Sequence, residues 1–385
     1  NTRGSFDRYR SRVRQLPEFS GELPTAVIAE EMLTPGEGQI RAFVSVAGNP
    51  VLSSPNGRQL DEALAQLDFM VAIDFYLNET TRHAHIILPP TGPFEHEQYD
   101  LIFNTFAVRN FAKYAEPLFP HPPGTRSDFE IFSSLISQMK ALKAASRPLH
   151  QRLKTRIMGE LQQRLSPAHL VDLGLRLGPY GALTNPLRRL RSSSLMGLTL
   201  TKLKRHPHGL DLGPLRQALP NRLHTRDKKI QLAPPLLVAD LQRLRDTFAP
   251  ETAGDELLLI GRRDLRTNNS WMHNSKRLVK GKDRCALFMH PVDAARLGIK
   301  ERDQIRLASA RGEIVTSVTV TADIKPGVVS LPHGWGHHRS GMRISTAQAN
   351  PGVSINDVTD ERVLDGLSGN AVLNGIPVRV LPAAG

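Results

Sequence analysis

The stretch Gly261-Arg262-Arg263-Asp264-Leu265-Arg266-Thr267-Asn268-Asn269-Ser270-Trp271-Met272-His273-Asn274 is dense in hydrogen-bond donors and follows directly on an apolar run. Long polar loops inside compact domains tend to be functional. Arginine can hold phosphate oxygens through two parallel bonds, and Ser270, His273 and Asn274 could satisfy the polar edges of a guanine-like ring. A second candidate is Gly48-Asn49-Pro50, also at the end of an apolar run, where Gly48 lets backbone approach a phosphate and Asn49 can donate. Asp74 ends the next run, where a carboxylate could accept from a ribose hydroxyl or from an amino edge. The plainer readings of these two places are a turn and a helix cap.

Other groups are less telling. Glu95 and Glu97 flank His96, an acid/base set in outline, but no nucleophile is recognisable nearby and a solvated loop is the simpler reading. His83 and His85 would point to one face if both lay on a strand, and His333, His337 and His338 form a second histidine group. Neither group has the carboxylate or thiolate companions of a recognisable zinc site, so no residue is assigned to a metal or to a catalytic role. Cys285 is the only cysteine, which excludes a disulfide framework or an iron–sulfur cluster built from this chain alone. Beside Ala286-Leu287-Phe288 it reads as a small buried hydrophobe.

The elements that must position these residues fall into three regions: an α/β region over 1–140, an Arg-rich helical segment over 141–250, and a β-rich region over 251–385. In the first, Ala42 to Ala47 and Phe69 to Ile73 are continuous apolar runs, which suggests parallel strands buried on both faces. Leu60, Ala63, Leu64 and Leu67 recur between them at helical spacing, completing a βαβ unit. Ile86-Ile87-Leu88 is a third short strand, and a helix carrying Phe129, Phe132, Leu135, Ile136 and Met139 closes the region. The middle segment shows helix broken by Gly and Pro, with no strand signal. In the last, Leu257 to Ile260 reads as a buried strand, Gln304 to Ser309 and Glu313 to Thr321 as a hairpin around Ala310-Arg311-Gly312, and Val328 to Leu331 and Pro377 to Leu381 as further strands. Many short strands in so little chain favour a barrel.

At 385 residues the chain is large enough for two or three domains. Its net charge of +13 is uneven: between Lys140 and Lys229 nineteen Lys and Arg face four acidic residues. Tyr180 is the only aromatic residue in that stretch, which leaves little for base stacking and argues against a nucleic-acid partner. No run of 18 apolar residues predicts a membrane span.

In series and spacing these segments resemble the molybdopterin oxidoreductase family, the group of dimethyl sulfoxide reductases, formate dehydrogenases and molybdenum nitrate reductases. Ala47-Gly48-Asn49-Pro50, Leu67 to Asp74, Asn78-Glu79-Thr80-Thr81 and Ile87-Leu88-Pro89 look like its third domain. Gly261-Arg262-Arg263, Ser270 to Asn274, His290 to Ile299, Arg311-Gly312-Glu313, Pro326 to Val329, Pro332 to His337 and Asn356-Asp357 look like its C-terminal dinucleotide-binding domain, a six-stranded double-psi barrel. The resemblance implies a bis-molybdopterin guanine dinucleotide cofactor carrying molybdenum or tungsten, acting on a small-molecule substrate. It assigns Gly48 and Asn49 to phosphate or ribose, Asp74 to the guanosine end, and Arg263, Ser270, His273, Asn274, His333, Gly334, Asn356 and Asp357 to pterin and phosphate. Where the family carries Ala-Asp-Val ahead of its Leu-Pro, this chain has Ala84-His85-Ile86. The family's metal ligand and the cysteines of a [4Fe-4S] cluster belong to an N-terminal half with no counterpart here, so the chain is expected to be a C-terminal portion, inactive alone, whose partner is that half. A cofactor-less structural subunit of the same fold is the alternative. The expected compartment is the cytoplasm, with the periplasm left open and the electron partner unspecified.

Overall fold

The computed structural model describes residues 4–146, 148–181, 197–247 and 256–383. The chain divides into two compact units, Asn1–Ile87 with Gln231–Gly385, and Leu88–Ile230. Of the expected Arg-rich helical segment over 141–250, residues 147, 182–196 and 248–250 lie outside the described residues.

The first unit opens with a small antiparallel pair, β1 (Phe6–Arg10) and β2 (Pro17–Phe19), followed by helix α1 (Ile28–Leu33). Strand β3 (Ala42–Val46) leads into a single helical turn, α2 (Pro50–Ser53), and then helix α3 (Gly57–Ala65). Asn56 caps α3 by accepting from the Gln59 N–H, and Leu60, Ala63 and Leu64 form the face that packs on Val51, Met32 and Met70. Strands β4 (Phe69–Ile73) and β5 (Ile86–Ile87) complete a parallel sheet of order β3-β4-β5. The sheet departs from expectation on one face. Val44, Val46, Phe69 and Ile86 are 44 to 55% exposed, because α1 to α3 all cover the other side. Apolar runs report strands in a parallel sheet but not whether both layers of helix are present in the same unit.

The second unit contains β6 (Gln98–Tyr99), β7 (Arg109–Ala112), β8 (Tyr114–Ala115), and the helices α4 (Asp128–Ala144), α5 (Leu149–Arg164) and α6 (Pro167–Leu177). Ser127 and Glu130 form a reciprocal capping box at the start of α4. The middle segment is not wholly helical: β9 (Leu210–Pro214) pairs antiparallel with β7. Its Gly and Pro hid the strand signal, and an exposed Arg109–Asp211 ion pair at 2.7 Å sits on the pairing.

The rest of the first unit is a closed six-stranded barrel. Its strands are β10 (Leu257–Arg262), β11 (Leu287–Met289), β12 (Gln304–Ala308), β13 (Glu313–Val320), β14 (Val328–Pro332) and β15 (Ile376–Pro382), in the order β10-β14-β11-β13-β12-β15. Two neighbours, β10 with β14 and β11 with β13, are parallel and the others antiparallel. Alternation fills the interior: Leu257 and Leu259, Ile305 and Leu307, and Val378 and Val380 point inward. Helix Pro291–Leu297 starts on a proline and ends at Gly298 with φ +68°, so sequence punctuation sets both ends.

Cys285, at the mouth of the barrel, is 4% exposed, and burial pushes its thiol up to about 12. Its thiolate fraction at pH 8 predicts alkylation by iodoacetamide on the order of a thousandfold slower than a free thiol, with full reactivity restored in denaturant. Labelling of the native protein at the rate of glutathione would refute this.

Candidate functional site

Residues from the α/β layer and from the barrel loops meet within the first unit. The turn after β3 brings Asn49 to the segment after β4. There the Asn49 Nδ2 donates to Glu79 Oε2 at 2.6 Å, and Thr80 Oγ1 donates to Asn49 Oδ1 at 2.7 Å. The Asn49 side chain is therefore already engaged at both ends. Asp74 accepts from the Tyr76 N–H at 2.9 Å and from Asn78 at 3.4 Å, yet burial raises its carboxyl above the ordinary range.

From the barrel side, Ser270, Trp271 and Asn274 face the same place as Asn49, Asp74, Glu79 and His337, around a void of about 20 Å³. That volume admits about one water molecule. Asn274 Oδ1 accepts from Thr346 and Ala347, and His273 lies behind His337. Glu79, His337 and His273 form a continuous row: His337 Nδ1 to Glu79 Oε1 is 2.6 Å, and His273 Nδ1 to His337 Nε2 is 2.8 Å. The three side chains are at most 1% exposed. Trp335 stacks on the His273 ring at 3.9 Å and 26°.

Burial disfavours an ionised Glu79, but the hydrogen bond and charge of His337 outweigh it and hold the carboxyl below the usual range. Burial and then the neighbouring His337 push His273 down to about 3. The outer nitrogen, His273 Nε2, is buried with no hydrogen-bond partner, as are Trp335 Nε1 and Ser354 Oγ. Such orphaned polar atoms call for a partner that the described chain does not supply.

Five of the eleven residues expected at a site are thus brought together: Asn49, Asp74, Ser270, His273 and Asn274. Gly334 adjoins them, its backbone pressed on Asn269 and Ser270. Arg263 is exposed and donates to Asn269, and His333 is half-buried, its pKa lowered by burial and by Arg263. Gly48 sits at the turn beside Asn49. Asn356 and Asp357 belong to a neighbouring network: Asn356 donates to the Leu52 carbonyl at 2.7 Å, and Asp357 pairs with Arg339 at 3.2 Å.

The other histidine and carboxylate groups resolve differently. His83 closes a short 3-10 turn and contacts Asp61 at 2.6 Å, whereas His85 Nδ1 accepts from the Met70 N–H, so the two share no strand and no face. Among the described residues no cluster of three or more His, Cys, Asp or Glu could hold a metal ion. Glu95 accepts from Gly92 N, and His96, which donates to the Glu97 carbonyl, lies with Glu97 on the border of a 660 Å³ cavity in the second unit. Glu79 and His337 fall within motifs that the sequence marks, but neither is assigned there to the site or to the other. Their adjacency spans 258 positions, and no local pattern announces it.

The molybdopterin oxidoreductase family model matches residues 5–138, and the molydopterin dinucleotide binding domain matches residues 257–377. The probable oxidoreductase YoaE of Bacillus subtilis is 22% identical over 375 residues, 95% of this chain and 48% of that protein. The F420-dependent formate dehydrogenase 1 subunit alpha of Methanococcus maripaludis is 23% identical, over 83% of this chain and 42% of its own length. Acetylene hydratase from Pelobacter acetylenicus shares the fold, with a TM-score of 0.58 at 16% identity over 94% of this chain and 47% of that one. The chain thus spans about half the length of the curated relatives it matches.

Proposed function

The chain belongs to the molybdopterin oxidoreductase family, and we propose that it forms the part of a redox enzyme that grips a bis-molybdopterin guanine dinucleotide carrying molybdenum or tungsten. The observation that carries this reading is the convergence of a polar barrel loop with the ends of β3 and β4, where Ser270, Trp271 and Asn274 face Asn49, Asp74, Glu79 and His337.

The donor set suits such a ligand, although the void does not. A space for one water cannot admit a pterin, so the ligand's place is the outer side of the loop, where Arg263, Arg266, Asn268 and Asn269 are exposed. Arg263 and Arg266 would neutralise phosphate charge, with bidentate geometry available to each. Ser270, Asn274, His333 and the Gly334 backbone would address the pterin, with His273 buried behind the loop and Gly48, Asn49 and Asp74 at the nucleotide end. Asn356 and Asp357, already bonded to Leu52 and Arg339, would shape the wall. When bound, the cofactor supplies the electron transfer, and the chain's contribution is to bury it, orient it and exclude water.

The reaction is proposed to be of the formate dehydrogenase, nitrate reductase or oxo-transfer kind, on a small molecule. Its metal ligand and a [4Fe-4S] cluster are assigned to the remainder of the protein, which is this chain's first partner, and the cytoplasm is the proposed compartment. Among the described residues no helix is long and apolar enough to cross a membrane.

The test is metal, pterin and guanine analysis of the full-length protein. Stoichiometric pterin is expected, and replacing Arg263 and Arg266 by alanine together should weaken retention about tenfold or more, as expected for lost hydrogen bonds to charged groups. Full-length protein purified after growth with molybdate and tungstate, yet free of pterin and guanine, would overturn the reading.

A further inference from the structure

A carboxylate has only lone pairs to offer, so the His337 nitrogen that faces Glu79, Nδ1, must carry a hydrogen. With that atom fixed, the rest of the row has two arrangements. When His337 is neutral, its Nε2 is a lone pair, His273 Nδ1 donates to it, and His273 Nε2 is left as an acceptor. A proton arriving at His273 Nε2 changes this without leaving charge on His273. The hydrogen on His273 Nδ1 passes to His337 Nε2, His273 becomes the neutral Nε2–H form, and the positive charge rests on His337 against the Glu79 carboxylate. One proton enters, one hydrogen crosses the 2.8 Å bond, and no electrons are exchanged.

We propose that Glu79, His337 and His273 form a proton-storing row, taking up one proton at His273 Nε2 and holding its charge on His337. On the cofactor reading above, on which this role rests, the row lies behind the loop that addresses the pterin, and the same uptake converts His273 Nε2 from acceptor to donor. Glu79 and His337 are then positioning residues, acting on the ligand only through His273.

Three features of the geometry support the row. Its members are sealed from water, so the charge has no solvent to spread into and needs the carboxylate. The terminal nitrogen is the one atom of the row without a partner. Trp335 stacks on His273 and fixes the orientation of its ring. The other ionisable groups facing the row are Asp264 beside His273, His338 towards Glu79, and Arg82, which donates to the Glu79 carbonyl. The Gly334 backbone also favours a proton on His273.

The experiment is a pH titration of the full chain with ¹⁵N-labelled histidine, in which the nitrogen shifts identify each ring's tautomer and charge. The expected result is that His273 changes from Nδ1–H to Nε2–H while staying neutral, with the same midpoint at which His337 becomes an imidazolium. Glu79→Gln should lower the proton affinity of the row at least tenfold, and His337→Gln should abolish the tautomer change. A single His273 tautomer throughout, an imidazolium on His273 itself, or an unshifted midpoint in E79Q would each overturn the proposal. The wild-type titration decides the matter even if both variants fail to fold. It needs no cofactor, so a missing pterin in the full-length protein would count against the cofactor reading, whereas a missing tautomer change counts against the row.

Discussion

Gly334→Ala is expected to destabilise the protein by about 3 to 5 kcal/mol, combining a strained backbone with overpacking. Gly334 has φ +92°, and a Cβ built there would stand 2.2 Å from the Asn269 carbonyl oxygen. Backbone cannot swing aside as a long side chain can. Relief requires the Asn269–Ser270 segment to move, and with it Ser270 and His273. Two effects are folded together here, and a second glycine separates them. Gly341 has φ +85° with nothing within 4 Å of its would-be Cβ, so Gly341→Ala should show only the backbone part, about 1 kcal/mol. Urea unfolding of both variants measures the difference. If G334A costs no more than G341A, the close approach of the two loops is wrong.

The second large effect concerns Asp61, on α3, which holds together cations from distant places. Arg82 donates both its bonds to Asp61 from one nitrogen at 2.6 and 2.7 Å, His83 lies at 2.6 Å and Arg339 at 3.2 Å. Asp61→Asn should cost about 2 to 4 kcal/mol, because it leaves Arg82 without its charge partner and Arg339, at 9% exposure, with Asp357 alone. The pH dependence follows from the sign of the shift. Burial opposes ionisation of Asp61, but hydrogen bonds from His83 and Arg82 and the charges of Arg82 and Arg339 bring it down to about 2. A depressed carboxyl stabilises the fold above its unfolded value, near pH 4, and that contribution disappears as pH falls towards 2. It amounts to about 2 kcal/mol. The stability difference between wild type and D61N should therefore shrink across this window, and a constant difference between pH 5 and 2 would exclude the assignment.

Much of this architecture is written locally. The βαβ unit shows in the apolar runs at β3 and β4 and the helical spacing of Leu60, Ala63 and Leu64, and the hairpin of β12 and β13 in its alternation about Arg311-Gly312. Those patterns reflect single-element burial, which neighbouring residues encode. The exposed face bearing Val44 and Val46 was not legible, since a strand's own sequence says that a cover is needed but not which part of a protein provides it. β9 was obscured by Gly213 and Pro214, which weaken strand propensity without preventing an edge pairing. For the site, donor density pointed to Ser270, His273 and Asn274. The pairing of Glu79 with His337, and of Asp61 with Arg339, depends on tertiary adjacency, for which a lone glutamate or arginine carries no periodic mark.

The two halves of the site lie on either side of Leu88–Ile230, since Glu79 precedes that unit and His337 follows it. Bringing such remote positions together has an entropic cost that rises only logarithmically with the intervening length, about 0.6 kcal/mol for each doubling. The interposed unit is therefore a place where the chain can lengthen or shorten over generations with hardly any thermodynamic penalty at the buried row.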